Sequence, residues 1–185
     1  SNVMSKKEED ILYQLIDIWT KVSNRLDIKW SVNAGTYIGL MRHGDRIPWD
    51  DDFDIIIMKE DLHKMKKIDK ILSKYNISVS KFWGGYKIFF NDNRAITKFK
   101  NYGWNWPFID IFTLDNDTES RYLEKNELPL KKIKFGKTYV YVYQNPNKNR
   151  TNIKNTRWKK EFLDTGYRHQ IETYISKKCL PKKIK

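Results

Sequence analysis

Three aspartates, Asp50, Asp51 and Asp52, lie directly before the apolar run Phe53 to Met58, and a fourth, Asp54, is its second residue. Side chains two apart on a strand share a face, so Asp52 and Asp54 would stand side by side while Phe53 turns into the core. Two ionised carboxylates held that close repel each other unless a cation lies between them. Oxygen ligands of this kind suit Mg2+ or Mn2+, which retain water and accept phosphate oxygens as further ligands. A second acidic position interrupts an apolar strand at Ile109-Asp110-Ile111. A carboxylate in such a strand is costly to bury unless it is paired or metal-bound. Asp110 is therefore the candidate third ligand, delivered by a different strand. Taken alone, residues 50–54 also read as an acidic surface turn; the second acidic strand favours the metal site.

Gly35-Thr36 follows a short strand and precedes a helical segment. Backbone amides and the Thr36 hydroxyl at such a helix start can cradle a phosphate. The elements that would position these groups are legible in the chain. Ser5-Lys6-Lys7-Glu8 fits a capping box, and Ile11, Leu12, Leu15, Ile16, Trp19, Val22 and Leu26 recur at helical spacing, predicting a helix over 6–27. Strands are expected at Trp30 to Val32, Phe53 to Met58, Ile77 to Trp83, Tyr86 to Asn91, Ala95 to Lys100, Phe108 to Leu114 and Thr138 to Tyr143. Helices are expected at Tyr37 to Arg42, at Lys59 to Lys74, and over most of 157–177 with a break at Gly166. Interleaved helices and strands around a mixed sheet make this an α/β (α+β) chain, with residues 1–185 forming one domain.

Composition sets the outer bounds. The chain has 185 residues, 39% hydrophobic, with one cysteine, Cys179. An internal disulfide is thereby excluded, and a cysteine-based zinc site is disfavoured. No apolar run approaches the ~20 residues that span a bilayer, and no signal-peptide pattern opens the chain, so a cytoplasmic location is expected. The net charge of +13 suggests an anionic partner. It also reads as a lysine-rich solvated surface. The most basic stretches, Lys131 to Lys137 and Lys177 to Lys185, follow no nucleic-acid-binding motif.

The combination Gly35-Thr36, Gly39 to Arg42, Ile47-Pro-Trp-Asp-Asp-Asp-Phe-Asp-Ile55 and Ile109-Asp-Ile-Phe-Thr-Leu-Asp115 resembles the LicD family, which includes fukutin and fukutin-related protein. The resemblance is clear over 30–115; Thr113 stands where proline is common. It implies a nucleotidyltransferase-like fold and transfer of a phospho-substituent, phosphocholine or an alditol phosphate, from a CDP-linked donor to a sugar hydroxyl of a glycan. In that reading Asp52 and Asp54 hold Mg2+ (or Mn2+), Asp110 completes the metal site and activates the hydroxyl, and Gly35, Thr36 and Arg42 hold the leaving CMP phosphate.

Lesser candidates surround these. Trp49 is a platform for a base or sugar, or a packing anchor. Asp50 and Asp51 orient Arg42 or water, or simply form the turn. Lys87 reaches phosphate, or is an exposed strand residue. His43 reads as structural, and Trp104 and Trp106 line an acceptor groove or close the core. Two other functions stay open: transfer of the nucleotidyl group itself, and a basic nucleic-acid-binding module whose acidic cluster is structural.

Overall fold

In a computed structural model of the chain, residues 3–113, 115–116, 119–120, 122–161 and 164–175 are described. The capping box at Ser5 forms. Its hydroxyl accepts the Glu8 amide, and the Glu8 carboxylate accepts the Ser5 amide at 2.7 Å. It starts helix α1, Lys6–Arg25, whose apolar face buries Leu15, Ile16, Trp19 and Val22. Strand β1 (Trp30–Val32) leads into α2 (Ala34–His43), which ends at Gly44 in a left-handed conformation, φ 63°. Then follow β2 (Phe53–Ile57), α3 (Met65–Leu72), β3 (Ile77–Phe82) and β4 (Gly85–Phe90). Two short strands, β5 (Thr97–Lys98) and β6 (Asn105–Trp106), precede β7 (Phe108–Phe112), and β8 (Asp115–Asn116) and β9 (Glu119–Ser120) form a small pair. The remainder comprises β10 (Leu130–Phe135), β11 (Thr138–Tyr143), α4 (Thr151–Lys154), β12 (Tyr167–Arg168) and β13 (Thr173–Tyr174).

The central sheet has the order β1-β2-β7-β4-β3. Strands β2 and β7 are parallel, and the other neighbours are antiparallel. It is the expected mixed sheet with helices packed on it. Helix α1 lies against β7, β11 and α3. The core between them contains Trp19, Trp30, Phe53, Ile55, Ile109 and Ile111, all 1% exposed or less. Fully burying a side chain of this size contributes about 1.5–3 kcal/mol, so the sheet is a rigid platform for whatever projects from its other face. The buried flanks of Asp110 also fix register: a one-residue slip of β7 would send the carboxylate into the core and Ile109 out of it.

Three expectations need correction. Helix α2 begins at Ala34, so Gly35 and Thr36 lie in its first turn rather than before it. Residues Lys59–Lys64 form a 3-10 helix ahead of α3. The described residues of 157–177 are not largely helical: Arg157–Lys159 is a 3-10 turn, and β12 and β13 pair as a hairpin. The reason is tertiary. The amides of His169 and Gln170, which a helix would consume internally, donate instead to the Asp51 carboxylate at 3.1 and 2.9 Å. The stretch Lys131 to Lys137 falls on the β10–β11 hairpin, where Phe135 packs inward and the lysines of β10 are exposed. Cys179, Leu114 and Lys177 to Lys185 lie outside the described residues. Among the described residues no helix is long and apolar enough to cross a membrane.

Candidate active site

Two strand registers assemble the site. Asp54 of β2 aligns with Asp110 of β7, and Asp110 aligns with Lys87 of β4. Directly opposed residues share a face, so three charged groups form one row across the sheet. Asp52, one residue before β2, joins them. Ligand oxygens of Asp52, Asp54 and Asp110 lie within 4.8 Å of one another, close enough for one divalent ion to engage all three. All three are buried.

Two protein cations are already seated there. Lys87 Nζ donates to Asp110 Oδ1 at 2.7 Å, and His169 Nε2 lies 3.0 Å from Asp52 Oδ2. Lys87 is 3% exposed, which overturns the expectation of an exposed strand residue. A lysine facing three carboxylates is drawn in by their charge, and its ammonium lies over the Phe108 ring, 3.5 Å from its centre.

Electrostatics separate the carboxylates. Burial pushes Asp110 up to about 7, with the Asp52 charge adding to it and Lys87 opposing it. Burial, then the charges of Asp52 and Asp110, raise Asp54 well above the ordinary carboxylate range. Burial acts on Asp52 too, but the charge and hydrogen bond of His169 outweigh it and hold Asp52 at about 2. Against its own burial, the same pairing lifts His169 to about 12.

These shifts predict how stability follows pH. The unfolded chain releases the Asp110 proton near pH 4, whereas the folded metal-free chain keeps it to about pH 7. The folded state therefore loses relative stability as pH rises through that window. The His169 pairing is fully present below about pH 6.5 and weakens as pH climbs toward 12, in the same direction. Asp52 contributes above about pH 4 and loses its contribution only as pH falls toward 2. Metal-free protein should melt a few degrees lower at pH 7.5 than at pH 5, read by differential scanning calorimetry. Because a divalent ion displaces those protons, stabilisation by Mn2+ should grow over the same range.

Two cavities flank the carboxylates. One, of about 430 Å³, opens at the start of α2 and is lined by Asn33, Gly35, Arg42, Trp49 and Asp50, with Arg157, Trp158 and Arg168 from the C-terminal part. Gly35 matters for its shape: a Cβ there would stand 2.8 Å from Asp50 Oδ2. Glycine thus lets the helix start approach the acids without displacing the Asp50 carboxylate. Thr36 is placed differently from the expectation. It is buried, and its Oγ1 accepts the Asp54 amide at 2.7 Å, tying α2 to β2. The second cavity, of about 310 Å³, lies on the Asp110 side and is lined by Asp52, Asp54, Lys87, Asp110, His169 and Glu172 together with five aromatic residues. Tyr167 borders both cavities.

Neighbouring residues hold this arrangement. Arg46 is buried, bonding the carbonyls of Ile47 and Pro48 at 2.9 and 3.2 Å and the Glu9 carboxylate at 2.5 Å, which fixes the turn before β2. Asp51 is a positioning residue: its carboxylate anchors the β12–β13 turn, and its carbonyl accepts Trp106 Nε1 at 2.6 Å. Trp106 is fully buried and closes the core, whereas Trp104 lines the second cavity. His43 is exposed at the end of α2. Sequence reasoning missed His169, Glu172 and Tyr167, because no motif surrounds them and the chain separation from Asp52 is large.

A model of the family described as LicD/FKTN/FKRP, nucleotidyltransferase domain, matches residues 27–145. An uncharacterized protein of Rickettsia prowazekii (strain Madrid E) is 31% identical over 145 residues, covering 77% of this chain and 53% of the relative. The lipopolysaccharide cholinephosphotransferase LicD of Haemophilus influenzae is 26% identical over 118 residues, covering 60% of this chain and 44% of the relative. The chain thus spans about half the length of these relatives. Among solved structures, the lincosamide antibiotic adenylyltransferase LnuA superposes with a TM-score of 0.43 at 10% identity, covering 78% of this chain and 82% of the other.

Proposed function

The chain belongs to the LicD/FKTN/FKRP nucleotidyltransferase-domain family, and from that premise we propose that it transfers a substituted phosphate from a CDP-linked donor to a sugar hydroxyl. The observation that carries this reading is the row of Asp54, Asp110 and Lys87 across three strands, with Asp52 beside it. Oxygen-only donors at this spacing fit Mg2+ or Mn2+. Asp52, Asp54 and Asp110 would hold the ion, which when bound offsets charge on the phosphates and lowers the pKa of a hydroxyl.

The remaining steps belong to the chain's own residues. The donor's diphosphate lies in the larger cavity, against the amides at the start of α2 and beside Gly35, with Arg42 balancing its charge and Trp49 facing the nucleoside. The acceptor enters from the Asp110 side. Its hydroxyl oxygen attacks the substituted phosphorus, and an oxygen–phosphorus bond forms as the bond to the bridging oxygen breaks. That electron pair leaves on the phosphate of CMP, and the hydroxyl proton passes to Asp110. Lys87 keeps Asp110 oriented across the strand pair.

A thermal-shift panel tests the reading. CDP-choline, CDP-ribitol or CDP-glycerol should stabilise the protein only when Mg2+ or Mn2+ is present. Stabilisation by nucleoside triphosphates in preference to all three would indicate nucleotidyl transfer instead. Equal shifts with and without metal would contradict the site.

A further inference from the structure

A third cavity, of about 720 Å³, lies where the end of α1 and β1 meet the β10–β11 hairpin. It shares no lining residue with the two that flank the carboxylates. Ile28, Leu128, Pro129 and Leu130 form an aliphatic wall, and Trp30 and Tyr141 meet edge-on beside it at 5.3 Å. The other lining residues are Asn24, Asp27 and Lys29. Asp27, the carboxylate among them, is already paired with Lys29 Nζ at 2.7 Å.

The hairpin continues this wall into a charged face. Leu130, Lys132 and Lys134 alternate along β10, with Lys132 opposite Tyr141 and Lys134 opposite Tyr139. Directly opposed residues share a face, so Leu130 and Tyr141 lead from the cavity straight to Lys132, Lys134 and Tyr139. Those three are exposed, Tyr139 by 54%. Residues 130–143 contain four lysines and no carboxylate. Lys137 pairs with Asp10 of α1, whereas Lys131, Lys132 and Lys134 make no ion pair among the described residues.

Uncompensated lysines beside an aliphatic cavity call for a partner that is anionic and apolar at once. Anionic phospholipid in a bilayer meets both demands: its phosphates attract lysines, and tyrosine favours the interface between headgroup and acyl chain. Nucleic acid meets only the first. Single strands stack successive bases on several rings, but Tyr141 is half-buried against Trp30 and leaves Tyr139 as the exposed ring of this face. A second copy of the chain would set like charges against each other.

We infer that the face carrying Lys132, Lys134 and Tyr139 docks on an anionic phospholipid bilayer, with the cavity beside Tyr141 receiving the upper acyl part of one lipid. This does not depend on the transferase reading.

Sedimentation of the whole chain with vesicles tests it. The protein should pellet with mixed phosphatidylcholine–phosphatidylglycerol vesicles and stay in solution with phosphatidylcholine alone. Lys132→Gln/Lys134→Gln should weaken binding about thirtyfold, from the contribution of two lysines at an anionic surface. Both lysines are exposed, so this variant should keep the wild-type melting temperature. Lys81→Gln/Lys98→Gln removes the same charge from β3 and β5, on the far side of the sheet, where salt screens it from the hairpin. It should bind nearly as the wild type does. Short-chain (dihexanoyl) phosphatidylglycerol should compete with the vesicles, and glycerol phosphate should not. Equal losses in the two double variants would mean that net charge alone drives binding, and would overturn the assignment. So would equal competition by glycerol phosphate, failure to pellet with the anionic vesicles, or tighter binding of a single-stranded oligothymidylate through Lys132 and Lys134.

Discussion

Asp54→Ala is expected to abolish the metal-dependent stabilisation by CDP-linked donors while leaving the metal-free protein folded. A ligand at about a hundredfold its dissociation constant stabilises by about 2.7 kcal/mol. For a chain of this size that is a rise of roughly 5–10 °C in melting temperature. Asp54 sits between Asp52 and Asp110, and each of their charges adds to the cost of ionising it. Removing it therefore relieves repulsion, which offsets the loss of packing around a small side chain. The metal-free variant should melt at or above the wild-type temperature, and its response to donor plus Mg2+ should fall to that of donor alone. Asp54→Asn should behave alike, since the amide keeps the shape and loses the charge. A variant that retains the full metal-dependent shift would remove Asp54 from the metal site.

Lys87→Met should produce the largest loss of stability among changes near the site. The ammonium is buried, bonded to Asp110 at 2.7 Å, and enclosed by the rings of Phe82, Trp104 and Phe108. Methionine replaces the stem but leaves Asp110 buried among carboxylates without its partner. Breaking a buried ion pair from one side costs about 3–5 kcal/mol, which corresponds to roughly 10 °C here. Part of this returns when Asp110 takes up a proton, so the deficit should be greater at pH 8 than at pH 5. Mn2+ should then stabilise the variant more than it does the wild type, because one competing positive charge has gone. Calorimetry with and without Mn2+ at both pH values measures this. A melting temperature within a degree of wild type would mean that Lys87 is not the counter-charge of Asp110.

The parts of this site that could be read from the sequence are those set by local periodicity. The alternation Asp52-Phe53-Asp54 and the triplet Ile109-Asp110-Ile111 each encode a face, and the in-register pairing of β2 with β7 brings those faces together. The capping box at Ser5 and the strands Trp30–Val32 and Thr138–Tyr143 are equally local, and they fall where their patterns place them. Partners chosen across the sheet are different in kind. Lys87 is one lysine among many until β4 is known to lie beside β7. His169 sits in a stretch whose apolar spacing suggests a helix. Its fold is decided instead by Asp51, a carboxylate far away in the chain that captures two amides of the turn. Thr36 shows the converse: its position beside Gly35 was legible, but its hydroxyl oxygen serves the β2 backbone.

The most direct test of phospho-substituent transfer is phosphorus NMR of the product mixture when the protein is incubated with Mg2+, a CDP-linked donor and a glycoside acceptor. CMP and a new phosphodiester should appear together, and both should be lost in Asp110→Asn. Release of the substituted phosphate with the nucleotidyl group attached to the acceptor, or CMP formation undiminished in Asp110→Asn, would contradict it.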